Sequence, residues 1–299
     1  MKLSYYKQII EKYRQIKKRD CFAELSASFP DVPLGTLISI VAQEHQRKVK
    51  KTYYFHAAPH KIADYYQRYL QKVEKSKRGC GFLLQIADEV DLSPALMAKL
   101  ILDHHYNTIL VQNSKEDNKV AESISKVKIS ELLRNTFLIQ DKQLAAEVRM
   151  CILADRFYGS ISDVIRNCIG QEHEIKLKEE LTQLGFSFLD ENQLRDKGYD
   201  KTPDIKLDIP IVVDGHIINW IESKASFGDE ERHKEYLRDQ YWSYCNRFGP
   251  GLVIYWSGYI EELNNCKEQG IVISDSIPTN ITCMNPDILI KKTYAEKVL

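Results

Sequence analysis

Apolar residues recur with helical spacing through the first half of the chain and with strand-like spacing only in the second. From Ile62 they fall at Tyr65, Tyr66, Tyr69, Leu70 and Val73, one greasy face of a 3.6-residue period. Residues 5–150 therefore predict an almost wholly helical region. Leu83–Leu102 (LLQIADEVDLSPALMAKLIL) has the outline of a helix-turn-helix unit. Ala87 is small where helices would cross, Leu92 fills the turn, Ser93 caps the next helix and Pro94 opens it. A second such unit is expected over Phe22–Gln46, with Pro30 and Pro33 in its turn and Leu37, Ile40 and Val41 on the following helix.

From Gly170 the pattern changes to helix, strands, helix, strand. Gln171–Leu184 predicts a helix with Leu177, Leu181 and Leu184 facing inward. Two strand-like runs, Asp204–Val213 and His216–Ala225, flank Asp214-Gly215, a strong hairpin signal. A two-residue loop would pair Val213 with His216 and send Asp204 and Glu222 to opposite faces. A three-residue loop with Gly215 as bulge residue pairs Val212 with His216 and places Asp204 opposite Lys224, with Glu222 on the same face. The second register is the one expected; Pro210 is a further place where strict pairing would relax. Glu231–Phe248 predicts a helix stopped by Gly249-Pro250-Gly251, and Leu252–Trp256 and Ile271–Ser274 predict strands, with the last ten residues frayed. Asn113–Lys119 is polar and turn-rich, a loop or linker. A boundary within 110–145 gives a helical region over 1–145 and a mixed region over 146–299.

Composition narrows the class. The 299 residues are 43% hydrophobic and 28% charged, ordinary for a soluble globular protein. No apolar run approaches the roughly 20 residues that span a bilayer, and the N-terminus lacks a signal-like apolar core, so an intracellular protein is expected. Seven scattered cysteines (Cys21, Cys80, Cys151, Cys168, Cys245, Cys266, Cys283) read as reduced thiols rather than a disulfide frame or zinc site. Formal net charge is zero, but residues 1–100 carry 18 Lys and Arg against 10 Asp and Glu, and the remainder 24 against 32. A basic front and an acidic back suit a nucleic-acid-binding module joined to a metal-dependent domain.

The chemistry concentrates between Thr202 and Lys224. Asp204, Glu222 and Lys224 form PD-x17-ExK, two carboxylates and an ammonium group across one hairpin. Such a group suits Mg²⁺ or Mn²⁺, a polarised water and phosphodiester hydrolysis. Glu174, three residues before Leu177, lies on the stripe predicted to face the core, where a carboxylate is costly unless paired or bound to metal. Gln240 and Tyr244, one helical turn apart, share a face suited to orienting a metal-bound water or holding DNA phosphate. In the front half the phosphate-contact candidates are Arg47, Lys48, Lys50 and Lys51, beside Tyr53 and Tyr54, together with Lys99. The helix after Ser93 presents Pro94, Ala95, Ala98 and Lys99, poor equipment for reading base edges.

Gly170-x3-Glu174, Pro203-Asp204, Glu222-Ser223-Lys224 and Gln240-x3-Tyr244, in this order, resemble the PD-(D/E)xK nuclease superfamily, particularly its branch similar to archaeal Holliday-junction resolvases. The stretches 198–204, 215–229 and 246–256 look like the TPD-motif family, and the likeness covers nearly the whole chain. The resemblance implies an α/β restriction-endonuclease-like core of order αβββαβ, preceded by an all-α region containing helix-turn-helix units. It implies Glu174, Asp204 and Glu222 as ligands of Mg²⁺ or Mn²⁺. Lys224, with Gln240, would serve the attacking water or the transition state. It further implies DNA as substrate, codanin as partner, a homodimer like the resolvases, and residence in nucleus and cytoplasm.

Overall fold

The structure is a computed structural model that describes residues 1–16, 20–76, 79–113, 129–264 and 270–284, with the backbone alone for 109–113. Of the loop predicted over Asn113–Lys119, Asn113 ends a helix and 114–119 lie outside the described residues, as do Cys266 and the final ten residues. No single cut of the chain separates its compact units. One unit comprises Met1–Ile40 with Cys168–Leu299, and the other Val41–Asn167. The sequence boundary expected at 145/146 thus divides the chain differently, because the first forty residues pack with the sheet-bearing portion.

In the helical unit, helices Pro59–Lys75, Phe82–Glu89, Pro94–Asn113 and Lys142–Ala154 enclose a core of Tyr65, Tyr69, Leu83, Ile86, Met97, Ile101, Leu144 and Val148. Leu70, expected on the inward face, is exposed, since it follows Tyr69 by a 100° step around the helix. The outline over Leu83–Leu102 does form helix, turn and helix, with Ala87 and Leu92 buried. Its second helix is not as expected. Pro94, Ala95 and Ala98 are buried rather than outward, and Lys99 alone of that set is exposed. A helix apolar nearly all round belongs inside its unit, not in a groove of DNA.

Two buried carboxylates fasten this pair of helices. Glu147, fully buried, accepts from Gly81 N at 2.8 Å and Leu83 N at 3.0 Å, at the start of Phe82–Glu89. Asp155 accepts from Ala95 N at 3.0 Å and also from the Ser93 hydroxyl. The cap of Pro94–Asn113 is therefore Asp155, with Ser93 bonded to it, rather than Ser93 itself. Both acids come from the helix Lys142–Ala154 and the residue that ends it, satisfying N–H groups that a helix start leaves unpaired.

The other unit is built on a mixed sheet. Its strands are β1 (Phe188–Asp190), β2 (Ile205–Val213), β3 (His216–Lys224), β4 (Gly251–Tyr255), β5 (Ile271–Ser274) and β6 (Ile281–Thr282). They run in the order β1-β2-β3-β4-β5, with β6 on β2; β1, β2 and β3 are antiparallel, and β3, β4 and β5 parallel. The helix Ser160–Gln183 precedes β1, a six-residue helix Glu191–Asp196 separates β1 from β2, and Glu230–Tyr236, a π-turn Leu237–Tyr241 and Trp242–Phe248 connect β3 to β4. One side of the sheet packs Ile205, Ile221, Leu252 and Ile254 on Leu177 and Leu181. Leu184, expected on that stripe, is exposed at the end of the helix. The other side packs Trp220, Val253 and Tyr255 on Tyr241 and Tyr244. The first forty residues complete this unit: Tyr6 stacks on Phe227 at 5.6 Å, Thr36 Oγ1 donates to Ser257 O at 2.8 Å, and Phe227 N donates to Ser39 Oγ at 2.7 Å.

The hairpin corrects the expected register. Val213 pairs with His216, so Asp214-Gly215 is a two-residue turn, and both residues have positive φ (49° and 83°), as a type I′ turn requires. Asp204 and Glu222 nonetheless meet, because β2 is irregular between Lys206 and Ile211. Lys206 pairs with Trp220 and Ile211 with Ile218, five steps along β2 against two along β3. Pro210, which has no N–H for a ladder, sits in this bulge. Beyond it Ile205 faces Ile221, and Asp204 comes level with Glu222.

Candidate active site

Glu222 lies on β3, hydrogen-bonded between β2 and β4, and is 3% exposed. Asp204 precedes the first residue of β2 and is half-buried. Asp204 N donates to Glu222 Oε2 at 3.2 Å, and Ser223 N donates to Asp204 Oδ2 at 2.7 Å. Burial, then the neighbouring Glu222 charge, push the Asp204 carboxyl well above its usual range. Burial also raises Glu222, outweighing the attraction of Lys224. Lys224 Nζ donates to Glu222 Oε1 at 2.6 Å and to Gln240 Oε1 at 3.0 Å. Burial works against its charge, yet Glu222 and Asp204 together hold its pKa above the usual value. Lys224 is thus a secured cation.

Gln240 reaches this centre from the π-turn, a geometry that recurs at functional sites. Tyr244, the other residue of that predicted face, is 4% exposed and packs edge-on to Trp220 at 5.3 Å. Burial raises its hydroxyl, and the Glu222 and Asp204 charges raise it further. It is a core residue beside the acids rather than an accessible contact for nucleic acid. Tyr241 is buried with it, whereas Trp242 is 43% exposed.

Glu174 is half-buried on the helix Ser160–Gln183, and its charge adds to the upward push on Asp204. That helix is held near the strand ends by Trp256, which stacks on His173 at 5.1 Å, meets Lys176 at 4.7 Å and donates from Nε1 to Ser223 Oγ at 2.8 Å. Among the described residues no three His, Cys, Asp or Glu side chains converge as a ready ligand set. Asp204 and Glu222 are the pair that the structure brings together. Their chemistry fits a divalent ion: both are hard oxygen donors, burial and then repulsion from Glu222 raise Asp204, and Asp204 Oδ1 accepts no hydrogen bond among the described residues. A cavity of about 740 Å³, lined by residues including Tyr5, Asp31, Phe227, Trp256 and Glu261, includes none of the acidic pair, Lys224 or Gln240.

The front-half candidates lie in the helical unit. Arg47 pairs with Glu44 at 3.3 Å and Lys48 with Asp91, while Lys50, Lys51 and Lys99 are exposed. One residue escaped the sequence reading. The Lys224 ammonium stands 4.6 Å from the ring centroid of Tyr236, four residues before Gln240; that spacing was the signal available for it.

The family described as "Protein of unknown function TPD sequence-motif" matches residues 140–277. The CDAN1-interacting nuclease 1 of Danio rerio is 45% identical over 94% of this chain and 91% of its own length. Its namesake in Homo sapiens is 47% identical, covering 89% and 91% respectively. This chain belongs to that TPD-motif family. The Xenopus laevis relative is 46% identical over 89% of this chain and 84% of its own. No solved structure matches. Asp204, the aspartate of Thr-Pro-Asp, and Glu222 with Lys224 all fall inside the matched segment, as do Glu174 and Gln240.

Proposed function

We propose that this protein is a metal-dependent nuclease that hydrolyses phosphodiester bonds in DNA, with branched or otherwise structured DNA as substrate. The observation that carries this reading is the meeting of a half-buried Asp204, whose backbone N–H bonds to Glu222, with the buried Glu222 carboxylate that repels its own, and Lys224 bonded to Glu222. The order of elements around them, helix, strand, a six-residue helix, two strands, helix and strand, supports a restriction-endonuclease-like core with one short helix inserted after its first strand. The names of the relatives point the same way and suggest codanin (CDAN1) as a partner. Residence in nucleus and cytoplasm accompanies that partnership.

Asp204 and Glu222, joined by Glu174, would hold Mg²⁺ or Mn²⁺, which supplies a Lewis acid and an acidified water when bound. In hydrolysis a water oxygen gives up a proton as it bonds to phosphorus, the bond from phosphorus to the leaving oxygen breaks, and that oxygen takes up a proton in its place. Lys224, firmly protonated, is placed to donate hydrogen bonds to charge developing on the phosphoryl oxygens rather than to accept a proton. Gln240 keeps it aimed. Lys50, Lys51 and Lys99 are proposed phosphate contacts of the helical unit.

The test is cleavage of junction, flap and duplex DNA with Mg²⁺ or Mn²⁺. Lys224→Ala and Asp204→Asn should each lower the rate by about 100-fold or more, the scale of losing one preorganised donor or ligand. Undiminished cleavage by either variant would overturn the mechanism. A second reading, an interaction protein that keeps this architecture to bind CDAN1, is favoured by the lack of a ready three-carboxylate set among the described residues. It predicts full CDAN1 binding by Glu222→Gln and no cleavage by the unaltered protein.

A further inference from the structure

The geometry points to Tyr236 as a positioning residue whose aromatic face holds the Lys224 ammonium in place. Lys224 Nζ lies 4.6 Å from the Tyr236 ring centroid, within the range where a cation is drawn to an aromatic face. An ammonium has three N–H donors and no acceptor. Glu222 takes one at 2.6 Å and Gln240 another at 3.0 Å, while the ring supplies a further partner without competing for either oxygen.

The backbone explains why the ring stays there. Tyr236 is the last residue of Glu230–Tyr236 and Gln240 lies four residues on, inside the π-turn. The two therefore approach Lys224 from one stretch of helix. Tyr241, from the same turn, places its ring 5.9 Å from that of Tyr236. Arg232 Cζ lies 5.9 Å from the Tyr236 centroid and also pairs with Glu235 at 3.1 Å. Lys224 is the closer cation. Among the described residues the Tyr236 hydroxyl has no hydrogen-bond partner, so the ring face, not the hydroxyl, carries the role.

The consequence concerns what happens when Glu222 turns toward another ligand. Lys224 then loses its 2.6 Å partner, and Gln240 alone is one neutral acceptor for a largely buried cation. The Tyr236 face keeps the ammonium beside the acidic pair instead of letting it swing to water. The effect on rate rests on the nuclease reading above; the placement of the ammonium does not.

The experiment compares the full chain with Tyr236→Phe and Tyr236→Leu, using ¹⁵N-lysine NMR with Lys224→Arg to assign the Lys224 signal, alongside steady-state DNA cleavage. A ring face displaces the resonances of a group above it. The Lys224 signal should be displaced in the unaltered protein and in Tyr236→Phe, and should move toward ordinary lysine positions in Tyr236→Leu. Cleavage should keep its kcat in Tyr236→Phe and lose about tenfold in Tyr236→Leu with KM little changed. A Lys224 signal unmoved in Tyr236→Leu would overturn the assignment, as would equal loss of kcat in both variants. Tyr236→Met replaces Tyr236→Leu if the latter does not fold. Should the unaltered protein cut no DNA, the nuclease reading falls, and the Lys224 signal still decides the role of Tyr236.

Discussion

The backbone N–H of Asp204 is bonded to the side chain of Glu222 at 3.2 Å, which draws the half-buried Asp204 toward the buried Glu222 without neutralising either carboxylate. Both have folded-state pKa values above those of the unfolded chain. Protonation is therefore favoured in the native state, and the stability it contributes is full below the ordinary Asp value of 3.8 and is lost as pH rises through the raised one. The metal-free protein should lose stability with rising pH across that window. Asp204→Asn should flatten the loss and raise stability near neutral pH. Thermal melts with and without Mn²⁺ check this: the ion should raise the Tm of the unaltered protein far more than that of Asp204→Asn.

His233 gives the opposite pH signature. It is buried, its Nδ1 lies 2.9 Å from the Tyr255 hydroxyl, and burial lowers its pKa to about 4. A depressed histidine contributes stability that is full above its unfolded value of 6.5 and disappears as pH falls toward 4. Denaturant midpoints measured across that interval should fall, corresponding to a loss of about 3 kcal/mol. His233→Gln should remove most of the slope.

Glu147 is the next point of leverage, far along the sequence from the candidate site. Its two oxygens serve the N–H groups of Gly81 and Leu83 in a fully buried setting. Glu147→Leu would strand both donors, each at about 1–3 kcal/mol. Urea unfolding followed by a probe in the helical unit should show the loss. Glu147→Gln, which keeps one acceptor, should lose less.

Gly251 opens β4 against the face of Trp220. A Cβ there would sit 2.1 Å from Trp220 Cε2, and the indole is locked by its own bond from Nε1 to Gly249 O at 2.8 Å. Gly251→Ala should destabilise the sheet unit by about 1–3 kcal/mol through overpacking. A shift in Trp fluorescence should accompany the lowered Tm.

The sequence made the elements of the sheet unit legible because their signals are local. Alternation, Asp214-Gly215 and Gly249-Pro250-Gly251 marked β2, β3, the turn and β4 within a residue or two. Gln240 was legible by its spacing from Tyr244, and it does reach Lys224. The register was not legible, because the bulge that sets it leaves only Pro210 as a trace, and a local rule for the turn says nothing about slippage farther along. The outward face of the helix after Ser93 was misread for a related reason: an all-round apolar helix offers no phase to read. The caps from Glu147 and Asp155 come from more than fifty residues away, beyond any local pattern. Tyr236 was hidden among the seventeen tyrosines of the chain.

The bulge between Lys206 and Ile211 also uncouples two parts of the hairpin. With the type I′ turn and strict pairing alone, Asp204 and Glu222 would fall on opposite faces; with the extra β2 residues absorbing the offset, the tip and the acidic pair answer to separate constraints. The tip is fixed by Asp214, Gly215 and the Asn280 side chain bonded to Asp214 at 3.1 Å, and the acidic end by Ile205 facing Ile221. The outer hairpin can therefore accept sequence change as if it were a separate module, while the two carboxylates keep their distance.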